Sequence, residues 1–219
     1  MPGLAPSIIA ADFGRLADQL ALVAPYADRW HVDVMDGHYV PNLTIGPMVV
    51  ETIARHSSLP QDVHLMITNP AETWEWYAKA GAARIAFHPD ATDDAGALLQ
   101  TIAGAGIGPG IAVNPDVDVD SIESLLPLVD HVVVMSVYPG FSGQAFLPEA
   151  VPKLAQLRAW ADARGADVEL VIDGGVSLTT APACVEAGAD LLVSASAVFG
   201  ADDPAGVAEA LSRLAGVGA

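Results

Sequence analysis

A chain of 219 residues with 52% hydrophobic content is long enough to bury a sizeable core, and one domain spanning 1–219 is expected. Its formal net charge of -18, from 27 acidic and 9 basic side chains, argues against nucleic acid and anionic membranes as partners. No run approaches the roughly 18 apolar residues of a membrane span, no basic-then-apolar leader opens the chain, and the lone Cys184 excludes an internal disulfide, so a reducing, cytoplasmic setting is expected.

The same acidity repels a phosphate ester at long range. Screening confines that penalty to a Debye length of about 8 Å at physiological salt. A phosphate site in this chain must therefore be local and built from backbone N–H groups. Solubility is the preferred reading of the charge. Adaptation to salt, to which the use of only Lys79 and Lys153 points, is the weaker one.

In chain order, short apolar strands are expected at 5–9, 30–34, 62–66, 84–87, 110–113, 131–135, 168–172 and 191–194. Between them run helical patterns. Phe13, Leu16, Leu20 and Val23 recur at helical spacing, as do Val151, Leu154, Leu157 and Trp160. Pro70 suits the first turn of a helix over 72–80, and Gly81, Gly165 and Gly188 stand where helices should stop. Trp30, Trp74, Trp76 and Trp160 all fit helix–sheet packing. Residues 216–219 are expected to fray. Eight β-then-α units imply a parallel sheet, and their number and even spacing favour a closed (β/α)8 TIM barrel over an open doubly wound sheet.

Function in such a barrel sits at the C-terminal ends of the strands. Alternation along the second strand puts His31, Asp33 and Met35 on one face, with Trp30, Val32 and Val34 on the other. The apolar set should meet the helices, which turns the polar set into the barrel. His64 and Met66 share a face of the third strand, and Asp173 ends the seventh. Two imidazoles and two carboxylates converging from three strands make a site for one divalent ion such as Zn2+, Mn2+, Fe2+ or Co2+. A metal-free hydrogen-bonded network is the alternative. His131 opens a strand and belongs at the barrel bottom. His56 lies late in a helix, where a cation suits the dipole. His38 and His88 follow strands and are expected to support the site.

Two glycine loops look built for phosphate. One carries Gly140, Phe141, Ser142 and Gly143, and the other Gly174 and Gly175. Glycine lets backbone approach an anion, and successive N–H groups form a nest. Ala195 and Ser196 follow the eighth strand, completing the region where these barrels often bind phosphate.

With these residues in place, the chain resembles the ribulose-phosphate 3-epimerase family along nearly its whole length. The carrying segments are Pro6-Ser7-Ile8, Ala11-Asp12-Phe13, the run from His31 to Asn42, and His64-Leu65-Met66. They continue through Phe87-His88, Asn114-Pro115, the run from Val134 to Val137, Pro139-Gly140-Phe141 and Asp173-Gly174-Gly175. The resemblance implies interconversion of D-ribulose 5-phosphate and D-xylulose 5-phosphate in pentose phosphate metabolism. It implies a metal held by His31, Asp33, His64 and Asp173, with Asp33 and Asp173 also the acid/base pair. Substrate contacts are implied for Ser7, His64, the residues Gly140, Phe141, Ser142 and Gly143, and Gly174, Gly175, Ala195 and Ser196. Met35, Met66 and Met135 match the family's methionines around the reacting carbons. A homo-oligomer is also implied.

The chemistry asks for these residue types. Epimerisation at C3 beside a C2 ketone removes a proton from one face and returns one to the other, through an enediolate. Ser142 and Ala195 stand where the family commonly has glycine, and Val171 where it often has Glu or Gln, which bears on substrate preference and on the metal's surroundings. An epimerase of another ketose phosphate, such as D-allulose 6-phosphate, would share these motifs. A non-catalytic phosphate-binding barrel would not require two facing carboxylates. Lysine-dependent aldolase or decarboxylase chemistry lacks a strand-end lysine, since Lys79 and Lys153 fall in helical patterns. A triosephosphate-isomerase-like base is missing because 136–143 holds no glutamate.

Overall fold

The computed structural model describes residues 2–216. Eight strands form one parallel sheet: β1 (Gly3–Pro6), β2 (Trp30–Met35), β3 (Gln61–Met66), β4 (Arg84–Phe87), β5 (Gly108–Val113), β6 (His131–Met135), β7 (Glu169–Asp173) and β8 (Leu191–Ser194). Each strand from β2 to β8 pairs with its successor, and β8 returns to β1. A parallel bridge between Ser7 and His31 joins the last open edge, which closes a (β/α)8 TIM barrel.

The surrounding helices are α1 (Leu16–Val23), α2 (Pro47–His56), α3 (Pro70–Ala80), α4 (Ala95–Gly104), α5 (Ala150–Arg164), α6 (Ala181–Glu186), α7 (Ser196–Phe199) and α8 (Pro204–Gly216). Gly216 is the last residue of α8, and 217–219 of the stretch expected to fray lie outside the described residues. Alternation along β2 works as expected. Trp30, Val32 and Val34 join the helix–sheet core, while the barrel interior is filled by Ala5, Ala86, Ala112, Val133, Val171, Leu191 and Val193. Small alanines on some strands leave room for branched side chains on others.

Four expectations need correction. β1 ends at Pro6, not at residue 9, because the Ser7 hydroxyl accepts from the Ile9 amide and starts a 3-10 turn over Ile8–Ala10. Phe13 does not begin the first helix. Asp12 caps a separate turn over Phe13–Arg15, and the Phe13 ring is 46% exposed. Trp76 does not pack on the sheet, because Pro70, Thr73, Trp74 and Tyr77 take the buried stripe of α3 and leave Trp76 facing solvent. The fifth unit carries no α-helix. Pro115, Pro127 and a run of aspartates favour turns, and two 3-10 turns, Val119–Ile122 and Leu126–Leu128, connect β5 to β6. That irregular segment is tied down by Lys153 of α5, whose ammonium donates to the carbonyls of Asn114 (3.0 Å), Pro115 (2.6 Å) and Val117.

The N-terminal end of the barrel is closed by charge. Arg29 Nη1 lies 3.3 Å from Asp62 Oδ2 and 3.1 Å from Glu169 Oε2, while Arg84 Nε lies 3.5 Å from Asp62 Oδ1 and its Nη1 donates to Glu169. His131 is buried beside them, as its strand-opening position predicts. Its ring occupies the space in front of Gly110 on β5, where a Cβ would come within 2.2 Å of His131 Cε1.

Candidate active site

At the opposite end, β2, β3 and β7 deliver His31, Asp33, His64 and Asp173 to one point. One ligand atom from each lies within 4.8 Å of the others. His31 Nε2 stands 3.3 Å from Asp33 Oδ1 and 3.5 Å from Asp173 Oδ2. His64 Nδ1 stands 3.3 Å and 3.6 Å from the same two oxygens. All four residues are buried. Register explains the convergence: Asp33 pairs with His64 across β2 and β3, and His31 bridges to Ser7.

The donor set fits a divalent cation. His31 Nε2 and His64 Nδ1 are buried, aim at two carboxylates, and make no hydrogen bond. Lone pairs from two imidazoles and two carboxylates pointing at one another are repulsive until a cation lies between them. Without one, protons must serve. Burial pushes the His31 imidazole down, but the charges of Asp33 and Asp173 outweigh it and carry it well above its ordinary value of 6.5. His64 is likewise raised against its burial, by Asp173 and Asp33. Burial would lift Asp33, yet the facing His31 holds it far below the usual carboxylate range. A divalent ion supplies the same two positive charges as two imidazolium protons.

The carboxylates open onto a cavity of about 260 Å³. Met35, Met66 and Met135, with Ile9, line its inner part, and the methionines are at most 4% exposed. Gly140, Phe141, Ser142, Gly143, Gly174, Gly175, Ala195 and Ser196 line the outer part. Gly174 and Gly175 have φ of 118° and 62°, and a Cβ on either would come within 2.8 Å of a neighbouring backbone nitrogen, Val137 N or Phe146 N. Only glycine passes here. Three predicted site residues do not line this cavity. His31 and His64 lie beneath it, and Ser7 is fully buried with its hydroxyl donating to Asp33 Oδ2 at 2.5 Å. A second opening, between Ile9, Phe13, Thr44 and Ile45, also reaches Asp33.

Several supporting side chains carried no sequence signal for their roles. Thr44 Oγ1 donates to the Asp33 carbonyl and accepts from the Met35 amide, fixing the end of β2. Ser136 Oγ donates to the Gly174 carbonyl at 2.6 Å, beside the Asp173 carbonyl at 3.0 Å. Asn42 Nδ2 donates to the Gly140 carbonyl, which ties the loop after β2 to the glycine loop after β6. Asp36 accepts from the amides of His38, Tyr39 and Thr68 and from the Thr68 hydroxyl. Of the two histidines expected to support the site, His38 is exposed. His88 is buried, with Nε2 3.0 Å from His64 Nε2.

The model of the ribulose-phosphate 3 epimerase family matches residues 3–199. The chain is 48% identical over 215 residues to the ribulose-phosphate 3-epimerase of Mycobacterium bovis, covering 98% of this chain and 93% of that one. It is 43% identical over 202 residues to that of Bacillus subtilis, covering 91% and 93%. A crystal structure of a 3-hexulose-6-phosphate synthase superposes with a TM-score of 0.69 at 19% identity, covering 97% of this chain and 99% of that one, a likeness of fold. The chain belongs to the ribulose-phosphate 3-epimerase family of enzymes.

Proposed function

We propose that this protein interconverts D-ribulose 5-phosphate and D-xylulose 5-phosphate by two-base proton transfer at C3. The observation that carries the reading is the pair Asp33 and Asp173. They come from strands separated by β1 and β8 and border one cavity, with no lysine among its lining residues. A ketose seated between them presents the C3–H to one carboxylate and the opposite face of C3 to the other. One aspartate takes the proton, leaving an enediolate, and the other returns a proton to the far face. The roles exchange with reaction direction.

The remaining residues bind, orient and exclude water. The backbone at Gly143, Gly174, Gly175 and Ser196 suits the phosphate, whose charge a local nest of N–H groups can hold despite the acidic surface. This seating sets C3 at the depth of the carboxylates. Met35, Met66 and Met135 surround the reacting carbons with polarizable, apolar surface and keep water from the enediolate. The Ser7 hydroxyl holds Asp33 through Oδ2, which leaves Oδ1 toward the imidazoles. His31, His64, Asp33 and Asp173 would hold the divalent ion, which when bound polarises the C2 carbonyl and offsets negative charge on its oxygen.

The test is incubation of metal-loaded protein with D-ribulose 5-phosphate in D2O, followed by NMR. Xylulose 5-phosphate carrying deuterium at C3 is expected. Exchange only with a different ketose phosphate would keep the chemistry and change the substrate. No exchange with any ketose phosphate, in folded metal-bound protein, would refute the two-base reading.

A further inference from the structure

We infer that His88 is a positioning residue for His64, accepting a hydrogen bond from His64 Nε2–H so that the His64 Nδ1 lone pair is left facing Asp33 and Asp173. The inference rests on the reading that these residues hold a divalent metal. The two Nε2 atoms are 3.0 Å apart, and His64 Nδ1, across the same ring, points at the carboxylates. A neutral imidazole carries one proton. If His64 spends it on His88, Nδ1 is a ligand. If His88 is the donor, His64 must carry its proton on Nδ1, aimed where the metal would sit.

The surroundings of His88 hold its ring in place beside His64. It is 1% exposed, so its Nε2 faces His64 and not solvent. Its ring is fixed against Tyr39, with centroids 4.9 Å apart and planes tilted by 35°. Tyr39 is fixed in turn, its hydroxyl donating to Asp90 Oδ1 at 2.9 Å and accepting from Asn114 Nδ2 at 3.3 Å. Metal-bound histidines usually donate their other N–H to a carboxylate, carbonyl or water. A second imidazole takes that place here. It adds no negative charge to a cluster that already has two carboxylates.

Long-range 1H–15N correlation spectra of the 15N-labelled, Zn2+-loaded full chain test this directly. The expected pattern is a proton on His64 Nε2 and on His88 Nδ1, with His64 Nδ1 at a metal-bound shift. Chelator competition supplies a second readout. His88→Phe is expected to weaken Zn2+ binding roughly 10- to 100-fold, the usual effect of losing such a partner, while His88→Gln, whose amide oxygen can accept, stays within about threefold of wild type. A proton on His88 Nε2 in the Zn2+-loaded protein, or unchanged affinity in folded His88→Phe, overturns the inference. Should His88→Phe fail to fold, the wild-type spectrum decides alone. Wild type that binds no Zn2+ overturns the metal reading and this inference with it, a result distinct from binding with the opposite tautomers.

Discussion

The two ends of this barrel both gather charged side chains away from most solvent, and they treat them in opposite ways. At the N-terminal end, Arg29 and Arg84 face Asp62 and Glu169, two positive charges against two negative, with contacts that cross between strands. At the C-terminal end, the charges of Asp33 and Asp173 face His31 and His64, and three imidazole nitrogens, His31 Nδ1 and Nε2 and His64 Nδ1, make no hydrogen bond. One end balances its charge with its own side chains. The other balances its charge only with protons or a cation. Barrels of this type keep stability at the first end and chemistry at the second, and here β3 and β7 supply side chains to both.

Substitutions can break that contrast. The largest effect is expected at the mouth. Asp173→Asn should lower turnover about a thousandfold, as loss of an acid/base group does, and abolish C3 deuterium exchange, with a thermal midpoint near that of wild type. At the other end, Arg84→Met leaves Asp62 and Glu169 sharing one guanidinium. Breaking such a pair should cost about 3 kcal/mol. That lowers the midpoint by roughly 6–12 °C for a chain of this size, while turnover per folded molecule stays within about twofold. If Arg84→Met cripples turnover without destabilising the fold, the division between the ends is wrong.

Smaller effects sharpen it. Because His31 and His64 are raised above their ordinary value in the metal-free cluster, a metal must displace their protons. Metal affinity should therefore rise with pH, by about one decade per unit for each proton displaced, and level off once both raised values are passed. Calorimetric titration from pH 6 upward measures it, and a flat profile would remove proton competition from the site. Asp36 makes the mildest case. Burial would lift it slightly, but bonds from Thr68, His38 and Tyr39 lower it to about 2 from 3.8. A depressed carboxylate stabilises above its unfolded value, and that contribution disappears as pH falls from 3.8 through about 2. Asp36→Asn should cost less than about 1 kcal/mol at pH 7, since the group is largely solvated, and only a fraction of that at pH 2. Paired melting curves at the two pH values would expose any other role.

Much of the mouth was legible in sequence because strand periodicity is strict. His31 and Asp33 had to share a face, and the apolar partners fixed which one. Asp173 and the glycines after it sit where a parallel barrel puts its functional loops. The bottom was less legible. Arg29 precedes β2 and Glu169 opens β7, and nothing local says they meet. The same holds for Thr44, Ser136 and Asn42, whose hydrogen bonds join separate loops. Errors came where a short polar side chain competed with the regular pattern. Ser7 and Asp12 cap turns that interrupt the first unit, and proline and aspartate replace the fifth helix with turns. Phe13 and Trp76 show that a hydrophobic residue in a helical rhythm need not face the core when better-placed neighbours already do.

Lys153, held by three backbone carbonyls, has a practical consequence. The chain contains only one other lysine, Lys79, whose side chain is 73% exposed near the end of α3. Helices of such a barrel end at the face where the next strand begins, so Lys79 lies on the side away from the mouth. Amine-reactive chemistry should then mark Lys79 and the chain's amino terminus while sparing Lys153. A surface or reporter coupled through Lys79 would leave the cavity turned toward solution.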